Sequence, residues 1–179
     1  MEGKLYFAYG SNINLEQMSH RCPDSAVVGP VTLDGYELLF RGNARGNGVA
    51  TIAPKEGSTV HGLLWNITPQ SERSLDLYEG FPHLYEKQTV TVQDKAGHKF
   101  QVMAYIMTEN SRWQQPTMPS SYYFEGIWRG FEQNGLPTES LTQAWMHAAE
   151  EVDQQTVQIN EQVFSQQKPD KKRGGHHER

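Results

Sequence analysis

The 179-residue chain is predicted to be an α+β protein with a mainly antiparallel sheet, its helices lying between and after the strands. Residues 26 to 68 carry three strand-like runs, "AVVGPVTLDGYELLF", "GVATIAP" and "TVHGLLWNIT", broken by Gly, Asn and Pro. "QTVTVQ" and "HKFQVMAYIMT" flank "DKAG", a turn suited to joining two antiparallel strands. Marked helices stand around these runs, and the sheet they imply can curl into a barrel. The length suits one domain with a real core.

Each element has a local reason. "LYFAYG" is a continuous apolar run ending at Gly10, which reads as a buried central strand. Gly10, Ser11 and Asn12 form a small-residue turn, and a short helix follows. Asn12 or Asn14 can cap it, Gln17 stands three after Asn14 as in a capping box, and Pro23 stops it. Thr68 as cap and Pro69 at the first helical position start the helix "PQSERSLDLYE", which Gly80 closes. After Pro116 and Pro119, "SSYYFEGIWRGFEQNG" reads as a helix ending at Gly135. A last helix starts at Thr138, with Leu141, Trp145, Ala148 and Val152 at helical spacing. From Asp153 the chain turns polar, so we expect a domain over 1–152 and a disordered or loosely docked tail over 153–179.

Composition excludes several functions. A net charge of -5 leaves no broad cationic surface for nucleic acid or acidic lipid. No apolar run is long enough to span a membrane, and the N-terminal stretch lacks signal-peptide features, so a cytoplasmic location is expected. The single cysteine, Cys22, fits a reducing compartment, and its plain reading is a small buried or half-buried residue. The seven histidines show no HExxH or paired-Cys spacing, which leaves a metal site unsupported. "GNARGNG" at 42–48 lacks the ending of a phosphate loop, and no GxSxG elbow is present. Any chemistry here uses a carboxylate, hydroxyls and backbone amides.

One carboxylate stands out. Glu79 lies four residues after Leu75, so the face that carries Leu75 inward carries Glu79 inward too. It also sits in the last helical turn, where the dipole disfavours a carboxylate. Burial and dipole would both raise its pKa, as a base working near neutral pH requires. "YEGFPHLYEK" places Tyr78, Phe81, His83 and Tyr85 around it. The alternative reading has Glu79 pointing to solvent beyond a frayed helix end.

The blocks "LYFAYGSN", "GVATI", "VHGLLW", "SLDLYEG", "AYIMT" and "PSSYYFEGIWRGFEQNGLP" resemble, in order and near-spacing, those of γ-glutamylcyclotransferases. The likeness runs from about residue 4 to 140. It implies a small mixed β-barrel with flanking helices, found as a monomer or homodimer. It also implies cofactor-free conversion of a γ-glutamyl compound into 5-oxoproline and a free amine. The family's catalytic glutamate matches Glu79. Its substrate-holding segment matches Tyr6, Phe7, Ala8, Tyr9, Gly10 and Ser11, and its pocket tyrosine matches Tyr123. Tyr105, Tyr85 and Asn12 are further pocket candidates. "YGSNI" stands where the commonest family form has Leu, and "RGNARGNG" and the tail depart from relatives. A non-catalytic module of the same fold that binds a small acidic metabolite is the alternative.

Overall fold

The computed structural model describes residues 3–42, 47–109 and 112–166. Its strands are β1 (Lys4–Ala8), β2 (Ala26–Gly42), β3 (Val49–Ile67), β4 (Tyr85–Gln93), β5 (Lys99–Met107) and β6 (Gln115–Pro116). Its α-helices are α1 (Leu15–Arg21), α2 (Pro69–Tyr78), α3 (Ser121–Gln133) and α4 (Thr138–Gln166). The sheet runs β3-β1-β5-β4-β2-β6, and a β3–β2 pairing closes its first five strands into a barrel. β1 and β5 are parallel, and the other pairs are antiparallel. The expected mixed barrel is therefore present. The long β2–β3 ladder bends to close it, with register shifts between Val27 and Gly29 and between Asp34 and Tyr36. Gly35 takes φ +80° at the second shift, a conformation that costs glycine least.

The barrel is filled by large apolar side chains. Phe7, Phe40, Leu63, Leu64 and Ile67 are fully buried, each stabilising the fold by about 1.5–3 kcal/mol relative to exposure. Cys22 is a buried free thiol in the same core, as its plain reading expected.

The helix signals resolve in detail. Asn14, not Asn12, caps α1, with its side chain accepting from the Gln17 N–H at 3.0 Å. Thr68 caps α2 with Pro69 at the first position. At the other end Phe81 N–H bonds Asp76 O at 2.9 Å and Gly80 N–H bonds Leu77 O at 3.3 Å, with Gly80 at φ +62°. This paired closure ends the helix and makes Glu79 its C-terminal cap residue. α4 does not stop at Val152 but continues to Gln166, and its last stretch from Gln158 is exposed. Residues 167–179, and 43–46 of the Gly-rich segment, lie outside the described residues.

This topology gathers one end of the barrel. The parallel strands β1 and β5 finish there, and their antiparallel partners β3 and β4 begin there. β1 leads at that end into a 3-10 turn, Ser11–Ile13. α3 presses on the turn: a Cβ at Gly130 would stand 2.7 Å from the Asn14 nitrogen, so only glycine permits the approach. Asn134 then donates to Ile13 O at 3.1 Å, and the Leu15 N–H to the Gln133 side chain at 3.0 Å.

Candidate active site

A cavity of about 200 Å³ opens at this end of the barrel. Tyr6, Tyr9, Gly10, Ser11 and Asn12 line it from β1 and the turn, and Val49 and Ala50 from the start of β3. Tyr78 and Glu79 come from the end of α2, Leu84 and Tyr85 from the start of β4, Tyr105 from β5 and Tyr123 from α3. Seven of the proposed site residues, Tyr6, Tyr9, Gly10, Ser11, Glu79, Tyr85 and Tyr123, thus face one space, together with Tyr105 and Asn12. Two residues of "YFAYGS" are exceptions: Phe7 is fully buried and packs beside Tyr9, and the small side chain of Ala8 is buried in the core; neither lines the cavity.

Among the described residues, Glu79 is the only carboxylic acid in the cavity wall. Burial pushes its carboxyl up to about 7, against the pull of the Arg21 charge. The reading in which it points away from the protein does not hold. Its Oε1 accepts a hydrogen bond from Asn12 Nδ2 at 3.3 Å. Burial also raises the hydroxyls of Tyr6, Tyr9, Tyr85 and Tyr123, with the charge of Glu79 contributing to each. They remain neutral donors at physiological pH.

Those hydroxyls are anchored to the scaffold. Tyr9 donates to Tyr105 O, and Tyr85 to Ala50 O at 2.6 Å. The Ala50 N–H donates to the Tyr123 hydroxyl at 3.0 Å, and Tyr105 donates to Asp76 at 2.6 Å. Because Tyr123 accepts from Ala50, its own proton is available to the cavity. The N–H groups of Ser11 and Asn12 open the 3-10 turn and have no partner within it, so they offer donors to an anion. Gly10 leaves room for such a group: a Cβ there would lie 3.0 Å from the Ala50 Cβ and 3.6 Å from the Tyr123 hydroxyl.

Sequence reasoning missed Arg21. It lies ten residues after Ser11 at the end of a short helix, where a basic residue needs no reason beyond the dipole. In the fold its guanidinium covers the Tyr78 ring at 3.7 Å and donates to Asn12 Oδ1 at 2.6 Å. Val49 and Ala50 were also missed as wall residues, although they stand in the "GVATI" block. Of the aromatic group placed around Glu79, Tyr78 and Tyr85 reach the cavity. Phe81 and His83 instead line a separate outer groove, because the chain reverses at Gly80. Among the described residues no group of three or more His, Cys, Asp or Glu is arranged to hold a metal, and no helix is long and apolar enough to cross a membrane.

Known proteins with this sequence pattern and fold are consistent in kind. Residues 6–129 match the family model described as gamma-glutamyl cyclotransferase, AIG2-like. The chain is 34% identical over 146 residues to the gamma-glutamylcyclotransferases of Bos taurus and Homo sapiens, covering 77% of this chain and 75% of each relative. Among solved structures, an uncharacterized human protein superposes with a TM-score of 0.72 at 30% identity, covering 80% of this chain and 87% of that one. A gamma-glutamyl cyclotransferase superposes at 0.69 with 31% identity, covering 80% and 86%. A matched model over most of the chain, with relatives above 30% identity over three quarters of it, places this protein in the γ-glutamyl cyclotransferase, AIG2-like family.

Proposed function

We propose that the protein is a γ-glutamylcyclotransferase that closes a γ-glutamyl group into 5-oxoproline and releases the attached amine, with Glu79 as its proton-transfer group. The observation that carries this reading is a single half-buried carboxyl, held near neutral pKa by desolvation, facing the donors of the Gly10–Ser11 turn across one small cavity.

The chemistry balances without an added nucleophile. The ionised Glu79 takes a proton from the substrate's α-ammonium group, and the freed nitrogen pair attacks the γ-carbonyl carbon. A C–N bond forms and the carbonyl oxygen becomes an oxyanion. Glu79 delivers its proton to the departing nitrogen as the old C–N bond breaks, and then takes the surplus proton left on the new ring nitrogen. The carbonyl reforms and that proton passes to the released amine, leaving a lactam, an ammonium product and ionised Glu79. The Ser11 and Asn12 amides and the Tyr123 hydroxyl suit the oxyanion and the substrate's α-carboxylate. The narrow cavity holds the chain bent for ring closure, the entropic share of the rate.

A pure anion binder would gain nothing from a half-buried carboxylate in its site, which argues against the non-catalytic alternative. We read the cytoplasm as the compartment, in keeping with the free Cys22 thiol. We also read residues 1–152 as sufficient for turnover, since among the described residues none beyond 152 lines the cavity. The test is a panel of γ-glutamyl amino acids, peptides and amines assayed for 5-oxoproline, with Glu79→Gln as control. Release by the wild type and its loss in the variant are expected; binding of the panel with no release would overturn the reading in favour of a sensor.

A further inference from the structure

We propose that Arg21 is a positioning residue for this reaction: its guanidinium fixes the Asn12 amide with the NH2 turned to Glu79, leaving Oε2 of Glu79 as the oxygen that takes the substrate's proton. The inference rests on the cyclotransferase reading for its chemistry, and on geometry for its substance.

A guanidinium has donors only, so the Asn12 atom 2.6 Å from Arg21 Nη1 must be the amide oxygen. Turning the amide over would set NH2 against a cation. With the oxygen committed, both hydrogens of Nδ2 point the other way. One meets the Tyr6 hydroxyl at 3.0 Å and the other meets Glu79 Oε1 at 3.3 Å. Nothing in the amide remains free to rotate. The backbone of Asn12 is held as well, because Trp65 Nε1–H donates to its carbonyl at 3.0 Å.

Arg21 is itself fixed from two sides. It stacks 3.7 Å over the ring of Tyr78, the chain neighbour of Glu79. A second donation reaches Ser11 Oγ at 3.4 Å, and that oxygen lies 3.2 Å from the Tyr78 hydroxyl. One side chain of α1 therefore ties the turn to the end of α2. Arg21 does not line the cavity, so it acts through Asn12 and through its charge rather than by touching substrate.

The groups that face Glu79 make that charge count. Tyr6 from β1, Tyr9 just beyond it, Tyr78 from α2, Tyr85 from β4, Tyr105 from β5 and Tyr123 from α3 are the titratable residues that line the cavity with it, and none of them is basic. The charge of Arg21 is the influence that lowers the Glu79 pKa against burial. Without it, and without the donated Asn12 hydrogen, the carboxyl would hold its proton to higher pH and fail as a base where the wild type works.

The experiment titrates the Glu79 carboxyl directly by carbon NMR of glutamate-labelled full-length protein, its signal identified by absence in Glu79→Gln. The same variants are assayed for kcat/KM against pH. Arg21→Gln is expected to raise the midpoint by about half to one pH unit and to cut kcat/KM at pH 6 by about three- to tenfold. Arg21→Lys, charged and donor-only, should restore most of both. Asn12→Ala should raise the midpoint too, and the double variant should shift less than the two singles added. An unmoved midpoint in Arg21→Gln, or fully additive shifts, would overturn the proposal. If Arg21→Gln does not fold, Asn12→Ala decides alone: a raised midpoint supports the relay and an unmoved one ends it. Since the titration needs no turnover, a protein that released no 5-oxoproline would sink the cyclotransferase reading while leaving this outcome legible.

Discussion

Glu72 and Glu79 stand two turns apart on one face of α2, and the fold drives their carboxyls in opposite directions. Burial acts to raise both. At Glu72 it is outweighed by Lys4 Nζ at 2.7 Å and Lys87 Nζ at 3.2 Å, whose hydrogen bonds and charges hold the carboxyl below its ordinary range. At Glu79 no lysine arrives. Burial wins there, Arg21 offsets it only in part, and the carboxyl rests near 7. The same residue type on the same helix face becomes a structural anion at one end and a candidate base at the other, according to which cations the strands deliver.

The contrast can be broken most sharply by activity. Glu79→Gln is expected to lower kcat/KM by about 10²–10⁴, the usual worth of a general acid–base group, whereas Glu72→Gln should leave it within about twofold. Comparable losses in both would erase the distinction. The pH profile comes next. Activity needs ionised Glu79, so kcat/KM should climb as pH rises through about 7, and Glu72→Gln should leave that limb in place.

Stability should separate the two with opposite signs. The folded-state pKa of Glu79 is raised from 4.5 to about 7, so its stabilising contribution exists below 4.5 and is lost as pH rises through 7. Glu79→Gln should therefore be more stable than the wild type at pH 8, on the order of 1–3 kcal/mol, with little difference near pH 4.5; denaturant melts at the two pH values read this out. The smallest effect belongs to Glu72. Its depressed pKa contributes stability above the ordinary value of 4.5 that is lost as pH falls through the folded one. The Lys4 side chain is 49% exposed and its pair is screened, so Glu72→Gln should cost only about 0.5–1 kcal/mol at pH 7 and nothing in strong acid.

Much of this arrangement was legible along the chain. Thr68, Pro69 and Gly80 marked α2 at both ends, and the Leu75–Glu79 spacing turned the glutamate inward. The small residues after β1 pointed to a tight turn where Gly10 admits a close neighbour. Other features were not legible. Phe7 and Ala8 belong to the "YFAYGS" stretch, yet both side chains are buried in the core and neither reaches the cavity. Phe81 and His83 follow Glu79 directly, yet the reversal at Gly80 carries them to another surface. α4 passes Val152 without a stop because Gln and Glu favour helix and no Gly or Pro interrupts residues 153–166.

By itself the sequence determined the local elements, their caps and the inward glutamate, because backbone conformation and side-chain periodicity act over a few residues. Only the tertiary structure decided that β2 and β3 bend to close a barrel, that tyrosines from β1, α2, β4, β5 and α3 surround one carboxyl, and that Arg21 reaches Asn12. Such relations join residues up to 121 positions apart, as where Asn134 donates to the Ile13 carbonyl. Desolvation and hydrogen-bond direction, the quantities that set the chemistry of Glu79, exist only once such distant groups exclude water together.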